Sequence, residues 1–273
     1  MPSLRSSQNE RTPTMTYANY ETWRSTELTG TPDVSVVIPA YNENDRIVPT
    51  IGAIAAHLCS RGLSLELIVS DDGSSDGTVG LVTSLGLANV TVLAPGVNRG
   101  KGAAVRDGVI AARGRFILFS DADLSTPIEE FDRLLAAVDR GAAVAVASRA
   151  ANGAEEQGRG RLRSFISSAL RGGVGKTTGV RVKDTQCGFK LFTRDAAQTL
   201  FTASRVDGFS FDLEILWLAQ RWNLAIEEVP VRWIEAPGSK VNPGRESLRF
   251  LRDVAALRYR GLRGHYSHAV VTV

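Results

Sequence analysis

Short runs rich in valine and isoleucine alternate with longer helical stretches from residue 34 onward. Strands are predicted over residues 34–38, 65–70, 90–93, 116–119 and 142–147, and helices over 46–60, 78–85, 101–112 and 129–139. This alternation is typical of a mostly parallel sheet covered by helices on both faces. We therefore expect an α/β fold with a single Rossmann-like sheet flanked by helices.

Ligands of such sheets bind beyond the carboxyl ends of the strands. The loops predicted at those ends, residues 39–45, 71–77, 94–100 and 120–126, are all polar and contain several carboxylates together with Arg99 and Lys101. Each loop taken singly also fits an ordinary turn or helix cap. Their convergence on one edge of the sheet favours a binding site.

Two carboxylates, Asp121 and Asp123, stand one residue apart directly after a predicted buried strand. This concentration of negative charge is costly without a cation. A bound Mg²⁺ or Mn²⁺ that bridges to phosphate oxygens would offset it. We expect a divalent metal at Asp121 and Asp123.

The remaining composition argues against several protein classes. No apolar run approaches the roughly 18–20 residues of a membrane-spanning helix, and residues 1–31 are polar and lack the apolar region of a secretory signal. Two cysteines and three histidines make a disulfide scaffold or a Cys/His zinc site improbable on composition. We expect a cytoplasmic protein with a disordered lead-in over 1–31, a main domain over 32–240 and a C-terminal tail over 241–273.

The positive charge of the chain is concentrated in that tail. The net charge is +3, yet residues 241–273 contain six arginines and only two acidic residues, Glu246 and Asp253. A nucleic-acid binder usually spreads basic residues over a binding face, so nucleic acid is not an expected partner. The distribution favours a terminal element that docks on a surface.

A helix predicted over residues 245–263 is basic and amphipathic. On a helical wheel, Arg245, Arg249, Arg252, Arg260 and Arg263 fall within an arc of about 80°, and apolar side chains fill most of the other half. Two interpretations stay open. The helix packs on the core with a solvated charged face, or it lies at an interface with anionic lipid. Residues 161–170 form a shorter stripe of the same kind.

A glycine-rich stretch over residues 171–178 resembles the phosphate loop of partition-type ATPases. Such a loop follows a strand and begins a helix, whereas this stretch follows a predicted helix. The first glycine of the full motif would also fall on Leu170. A glycine-rich hinge is the interpretation we favour, and an ATPase remains a remote alternative.

Several motifs together resemble those of inverting family-two glycosyltransferases with the GT-A fold. They are Val-Ser-Val-Val-Ile-Pro-Ala-Tyr-Asn-Glu at 34–43, Asp-Asp-Gly-Ser at 71–74 and Asp-Ala-Asp at 121–123. Three later motifs are similar to the dolichyl-phosphate β-glucosyltransferase branch, namely Lys-Asp-Thr-Gln-Cys-Gly-Phe-Lys-Leu-Phe at 183–192, Phe-Asp-Leu-Glu at 211–214 and Pro-Gly-Ser-Lys at 237–240. The resemblance spans about residues 33–262.

The resemblance implies a role for each matching position. Residues that would bind the nucleotide-sugar are Pro39, Ala40, Tyr41, Asn42, Glu43, Asp71, Asp72 and Gly73, with Lys101 facing the diphosphate. Asp121 would contact the nucleotide-sugar and share the metal with Asp123. Arg149 and Lys240 would receive the acceptor phosphate, and Asp212, where related enzymes have a general base, would orient the reactants.

The implied reaction is transfer of a hexose to a polyprenyl phosphate. UDP-glucose is the expected donor of glucose. The enzyme would lie peripherally at the inner face of an anionic membrane, which favours the interfacial interpretation of the C-terminal helix. Ser125 and Leu124 depart from the patterns of related branches, so UDP-N-acetylhexosamine or GDP-mannose remain alternative donors. A soluble acceptor and a catalytically silent nucleotide-binding module also remain alternatives.

Overall fold

A computed structural model of the chain describes residues 13–157, 178–236, 243–264 and 266. Its strands are β1 (Val34–Ala40), β2 (Leu65–Asp71), β3 (Val90–Leu93), β4 (Phe116–Ser120), β5 (Val144–Ser148), β6 (Glu155–Gln157), β7 (Phe189–Thr193), β8 (Ile226–Pro230) and β9 (Arg232–Ile234). Its helices are α1 (Pro13–Ser25), α2 (Ile47–Ser60), α3 (Thr78–Ser84), α4 (Lys101–Ala111), α5 (Phe131–Asp139), α6 (Arg194–Ala203), α7 (Phe211–Arg221) and α8 (Pro243–Leu262).

Seven strands form the central sheet in the order β3-β2-β1-β4-β7-β5-β8. All neighbouring pairs are parallel except those of β7, which is antiparallel to both β4 and β5. The α/β class and the mostly parallel sheet are confirmed, and so are the five predicted strands. The prediction of a single sheet needs one correction, because β6 and β9 pair as a separate two-stranded sheet.

The antiparallel strand β7 has a consequence for the site. Phe189, its first residue, pairs with Ser120, the last residue of β4. An antiparallel neighbour starts where the parallel strand ends, so the residues just before β7 lie beside the loop after β4. The segment at 184–188 and the pair Asp121 and Asp123 are therefore brought to the same edge.

The expected disorder of residues 1–31 is wrong for residues 13–25, which form helix α1. Trp23 is 4% exposed and belongs to the core under β1 and β2. Its indole Nε1 donates to the carbonyl oxygen of Leu65 at 2.8 Å. One large aromatic side chain supplies enough apolar contact to dock a short polar helix. The average composition of residues 1–31 is polar and does not reveal this contact.

Helix α8 spans Pro243–Leu262 and packs on the main domain. Val254 and Leu257 are buried in the core on the α7 side of the sheet. At Gly261 the helix approaches the Trp217 ring so closely that a Cβ there would overlap it. Part of the apolar stripe is therefore used for core packing. Residues 158–177 and 237–242, with the glycine-rich stretch to residue 177 and Lys240, lie outside the described residues.

Candidate active site

A cleft of about 800 Å³ lies at the carboxyl ends of β1, β2 and β4. Most of the residues predicted from the loops line it. They are Pro39, Ala40, Tyr41, Glu43, Asp72, Lys101, Asp121 and Asp123. Convergence of the carboxyl-end loops on one edge of the sheet explains this agreement.

Asp121 and Asp123 follow β4, and the segment before β7 supports them. The Asp121 N–H donates to the carbonyl oxygen of Gly188 at 3.0 Å. A Cβ on residue 188 would overlap the Asp121 carboxylate, so only glycine leaves room for it. On the other side of the motif, the Ser125 N–H donates to Asp123 Oδ1 at 3.0 Å, and Leu124 between them adopts a left-handed φ of 47°.

Lys101 is the first residue of α4 and pairs with the carboxylates. Its Nζ lies 2.7 Å from Asp121 Oδ1. Burial by itself lowers the pKa of Lys101, but the negative charges of Asp121 and Asp212 outweigh burial, and the net pKa is raised. The ammonium is therefore charged at neutral pH.

Asp212, at the start of α7, lies in the interior behind this pair. It is 4% exposed, and it accepts a hydrogen bond from Nζ of Lys190, which is 1% exposed. The Lys190 ammonium also donates to the carbonyl oxygen of Cys187 at 2.7 Å. Burial raises the pKa of Asp212, while Lys190 and Lys101 oppose the rise. Asp212 and Lys190 therefore form a buried ion pair behind Lys101 and Asp121, and the orienting role expected for Asp212 stays a prediction.

Asp72 shapes the loop that precedes α4. Its Oδ1 accepts from the N–H groups of Arg99 at 2.7 Å and Gly100 at 2.9 Å. These contacts hold the turn that leads into Lys101. On the opposite loop, Glu43 pairs with Arg46, and Tyr41 is 44% exposed at the cleft wall.

Three predicted binding residues do not line the cleft and instead connect its loops. Asn42 Oδ1 accepts from the Ser75 N–H at 2.8 Å. Asp71 Oδ2 accepts from the N–H groups of Gly73 and Ser74, each at 2.9 Å, and its Oδ1 is buried without a hydrogen-bond partner among the described residues. Gly73 has a φ of 78° and lies so close to Asn98 that a Cβ would be 2.7 Å from its backbone nitrogen.

Arg149 follows β5, outside the main cleft. Its guanidinium binds the buried Asp184 through Nε at 2.7 Å and Nη2 at 2.8 Å, and it stacks on Trp233 with 5.5 Å to the ring centroid. Trp233 in turn lines a small cavity that it shares with Asp121 and Asp123. Arg149 is therefore held near the carboxylate pair by a bidentate ion pair.

The donor set fits a divalent metal that is bound together with a nucleotide. Asp121 and Asp123 follow the same strand and both line the cleft. No group of three or more Asp, Glu, His or Cys side chains suited to a metal occurs in the described part of the chain. Mg²⁺ and Mn²⁺ commonly take one or two carboxylates and complete their shell with water and substrate phosphates.

Sequence reasoning missed a second set of lining residues. The loop 205–209 forms part of the cleft wall. Four residues of α8 also line it, namely Arg252, Asp253, Ala256 and Arg260. It also missed the supporting roles of Gly188 and Lys190. Only the specific motif at 183–192 could have indicated these two, since their partners are 67 and 22 residues away in the chain.

No helix among the described residues is both long enough and apolar enough to cross a bilayer. The family model described as "Glycosyl transferase family 2" matches residues 35–201. The chain is 35% identical over 246 residues to the dolichyl-phosphate β-glucosyltransferase of Dictyostelium discoideum, covering 85% of this chain and 75% of that protein. It is 38% identical over 269 residues to the enzyme of the same name from Drosophila melanogaster, covering 92% and 82%.

One solved structure with the same fold is glucosyl-3-phosphoglycerate synthase from Mycobacterium tuberculosis in complex with Mn²⁺, UDP-glucose and glycerol 3-phosphate. The TM-score is 0.60 and the identity 22%, with 93% of this chain and 84% of that chain covered. At this identity the match establishes the GT-A fold and nothing finer.

Proposed function

Because the chain belongs to glycosyl transferase family 2 and is a glycosyltransferase, we propose that it transfers glucose from UDP-glucose to a polyprenyl phosphate of the dolichyl type, with inversion at the anomeric carbon. The observation that carries the proposal is the pairing of Lys101 with Asp121 beside Asp123 in one polar cleft. The names of the relatives support the choice of sugar and acceptor.

Donor binding falls to the loops after β1 and β2. Pro39, Ala40, Tyr41 and Glu43 line the cleft where the nucleoside would lie. Asp72 keeps the N–H-rich turn at residues 99–100 in place, and Asn42, Asp71 and Gly73 hold the loops together from behind. Asp71 Oδ1 accepts no hydrogen bond from the described residues, and it would accept one from a donor group of the base or ribose.

Departure of UDP develops negative charge on the diphosphate. Lys101 stabilises that charge from the N-terminus of α4. Because its ammonium is already held in place, it does not have to reorganise when the charge develops. Asp121 and Asp123 would hold a divalent cation that supplies further charge neutralisation. Mn²⁺ in the solved structure of similar fold supports a divalent ion of this kind.

The acceptor phosphate is already anionic at neutral pH, so it needs cations for positioning more than a base. Arg149 retains donors beyond the two that bind Asp184, and with Lys240 it would receive that phosphate. Asp212, paired with Lys190, orients Lys101 and needs no proton transfer.

Peripheral contact with an anionic membrane belongs to the same proposal. Arg258, Tyr259 and Arg263 of the C-terminal segment are exposed, and each well-placed basic residue near anionic lipid contributes about 1 kcal/mol. The burial of Val254 and Leu257 reduces the apolar area that α8 offers to lipid. Electrostatic attraction therefore carries most of the expected contact.

The experiment that tests the proposal incubates the protein with a polyprenyl phosphate, Mg²⁺ or Mn²⁺ and a panel of labelled nucleotide sugars. The panel contains UDP-glucose, UDP-N-acetylglucosamine and GDP-mannose, and the measurement is label extracted into organic solvent. We expect label from UDP-glucose, in a β-linkage, and loss of transfer when EDTA removes the metal. Label from another donor would correct the sugar, and label that appears only on a soluble acceptor would overturn the lipid acceptor.

Asp123→Asn, with Asp139→Asn as its matched control, isolates the carboxylate pair. Asp139 is an exposed aspartate at the end of α5. Loss of one metal ligand should reduce turnover by about 100-fold or more, whereas the control should keep wild-type turnover. Full transfer by Asp123→Asn in the presence of the metal would contradict the proposed site.

A further inference from the structure

The cleft has cationic residues on two elements that no motif indicated. Arg205 lies in the loop between α6 and α7, and Arg260 lies in the last turn of α8. Both line the same cleft as Lys101 and the carboxylate pair. The C-terminal helix, expected to serve as a surface element, therefore also forms part of the site.

The loop that carries Arg205 is packed against the N-terminus of α4. The Ala103 N–H donates to the carbonyl oxygen of Asp207 at 3.2 Å, and Asp207 pairs with Arg106 of α4. The ring of Phe209 lies 5.7 Å from Lys101 Nζ. This contact places the loop on the same side of the cleft as the ammonium that faces the diphosphate.

A buried network joins this loop to the chain that follows α8. Glu214 of α7 is fully buried, and its Oε2 accepts from the N–H groups of Arg205 and Val206, each at 2.8 Å. Its Oε1 accepts from the hydroxyl of Tyr266, which is also buried. A buried carboxylate is costly unless donors satisfy it, and here the satisfied carboxylate holds the two arginine-bearing segments in one arrangement.

The other cations of the cleft already have carboxylate partners. Arg46 pairs with Glu43, Arg99 with Asp107 and Lys101 with Asp121, and Arg252 Nε lies 4.0 Å from Asp253 Oδ1. Within the described ranges, Arg205 and Arg260 make no ion pair with a carboxylate. Arg205 donates to the carbonyl oxygens of Thr202 at 3.0 Å and Ser204 at 2.8 Å, and Arg260 lies beside the Tyr266 hydroxyl.

We infer that Arg205 and Arg260 bind phosphate oxygens in the cleft and that the Glu214–Tyr266 network positions them for it. The inference rests on the proposed function and adds two residues to its phosphate site. Guanidinium groups bind phosphate through paired hydrogen bonds. The phosphate belongs either to the donor diphosphate or to the acceptor. The donor is favoured because Phe209, in the same loop as Arg205, contacts Lys101 and all three cations line one cleft.

The test compares Arg260→Gln and Arg205→Gln with Arg24→Gln. Arg24 is exposed on α1, does not line the cleft and has no part in the proposed membrane contact, so the control removes an equal charge elsewhere. Binding of UDP with Mn²⁺ is measured by calorimetry without acceptor, and KM for polyprenyl phosphate is measured at saturating donor. We expect each cleft variant to weaken UDP binding by about tenfold or more and the control to stay within about twofold.

The outcomes separate the two sources of phosphate. Weaker UDP binding assigns the arginines to the donor, and a raised KM for the lipid with unchanged UDP binding assigns them to the acceptor. Unchanged values in both arms, or an equal loss in Arg24→Gln, would overturn the inference. If wild-type protein binds UDP but transfers nothing to polyprenyl phosphate, the proposed acceptor fails while the UDP comparison still stands.

Tyr266→Phe tests the network without removing a cleft cation. The variant keeps the ring that packs on Trp217, at 5.6 Å between centroids, and loses the hydrogen bond to Glu214. We expect faster hydrogen exchange in α8 and UDP binding weakened by a smaller factor than in Arg260→Gln. Wild-type exchange and wild-type UDP binding in this variant would contradict the positioning role of the network.

Discussion

The orientation of the Asp121 carboxylate depends on residue 188 being glycine. The two residues are joined by a backbone hydrogen bond of 3.0 Å, and any side chain at 188 would overlap the carboxylate. Gly188 needs no unusual backbone dihedral angle, because its φ is not positive. Its role is therefore to leave space next to a functional group, and this can be tested apart from backbone strain.

Gly188→Ala is expected to displace the Asp121 carboxylate and reduce kcat on the order of 10²-fold, since misplacement of a reacting group by about 1 Å has an effect of this size. Gly52→Ala on α2 is the matched control, because open space surrounds that position. Steady-state kinetics and thermal unfolding of both variants are the measurements. Equal activity of the two variants would show that the contact with Asp121 is not needed.

The pair Lys190 and Asp212 is the second feature that acts at the residue scale. Lys190→Met leaves Asp212 buried without its ammonium partner, and loss of one partner of a buried pair costs about 3–5 kcal/mol of unfolding free energy. Lys190→Arg retains a positive charge and should lose less stability. Denaturant unfolding of both variants at neutral pH measures the difference.

The pH dependence of that loss has a definite sign. Burial already raises the pKa of Asp212 above its ordinary value of 3.8, and removal of Lys190 takes away a charge that opposes the rise. A carboxyl group whose pKa is raised in the folded state is best accommodated when protonated, so stability falls as pH rises through the folded pKa. The destabilisation by Lys190→Met should be smallest near about pH 4 and largest near about pH 8. A pH-independent loss would contradict the assignment to Asp212.

At the scale of elements, α1 and α8 show how segments outside the repeating α/β pattern are recruited. Trp23 docks α1 under the β1–β2 edge. Val254 and Leu257 dock α8 on the other face of the sheet. In both helices a few large apolar side chains decide the packing, while the rest of the sequence is polar or basic.

Trp23→Ala is expected to lower the unfolding free energy by about 3–5 kcal/mol, because it removes a buried aromatic side chain and the hydrogen bond to Leu65. Arg24→Ala, at the neighbouring exposed position of α1, is the control and should change stability by less than about 0.5 kcal/mol. Urea denaturation compares the two variants. A Trp23→Ala protein as stable as the control would show that α1 does not pack on the domain.

At the scale of the whole molecule, buried core clusters cover both faces of the sheet. Both cysteines lie within this packing and are inaccessible to solvent. Cys59 is 3% exposed on α2 and Cys187 is 1% exposed before β7. Burial raises the pKa of each thiol to about 11. At pH 8 roughly one thiol in a thousand is ionised, and the thiolate is the reactive form.

Titration of the native protein with a thiol reagent at pH 8 should therefore label neither cysteine within minutes, whereas two thiols per chain should react in denaturant. The measurement is the number of thiols per chain that react before and after unfolding. Circular dichroism checks that the protein stays folded in the native buffer. Rapid labelling of one native thiol would show that the packing around α2 or β7 is looser than described.

The periodicity of apolar residues was sufficient to predict five strands of the sheet and four helices, since burial of a parallel strand on both faces requires continuous apolar runs. The same logic predicted that Asp72, Lys101, Asp121 and Asp123 share one edge, and the structure places all four in the cleft. These features depend on residues close together in the chain. The binding and catalytic roles of all these site residues stay predictions, and Asn42, Asp71, Gly73 and Arg149 also lie outside the main cleft.

Contacts between distant residues were decided only by the tertiary structure. The antiparallel insertion of β7 brings Gly188 and Lys190 beside Asp121 and Asp212, and α8 brings Arg260 to the cleft. No local pattern distinguishes Trp23 from an exposed aromatic residue or Arg260 from the solvated arginines of its helix. Local sequence determines which elements form, because hydrogen bonding and burial repeat over a few residues. Which side chains meet across elements depends on how the whole chain packs.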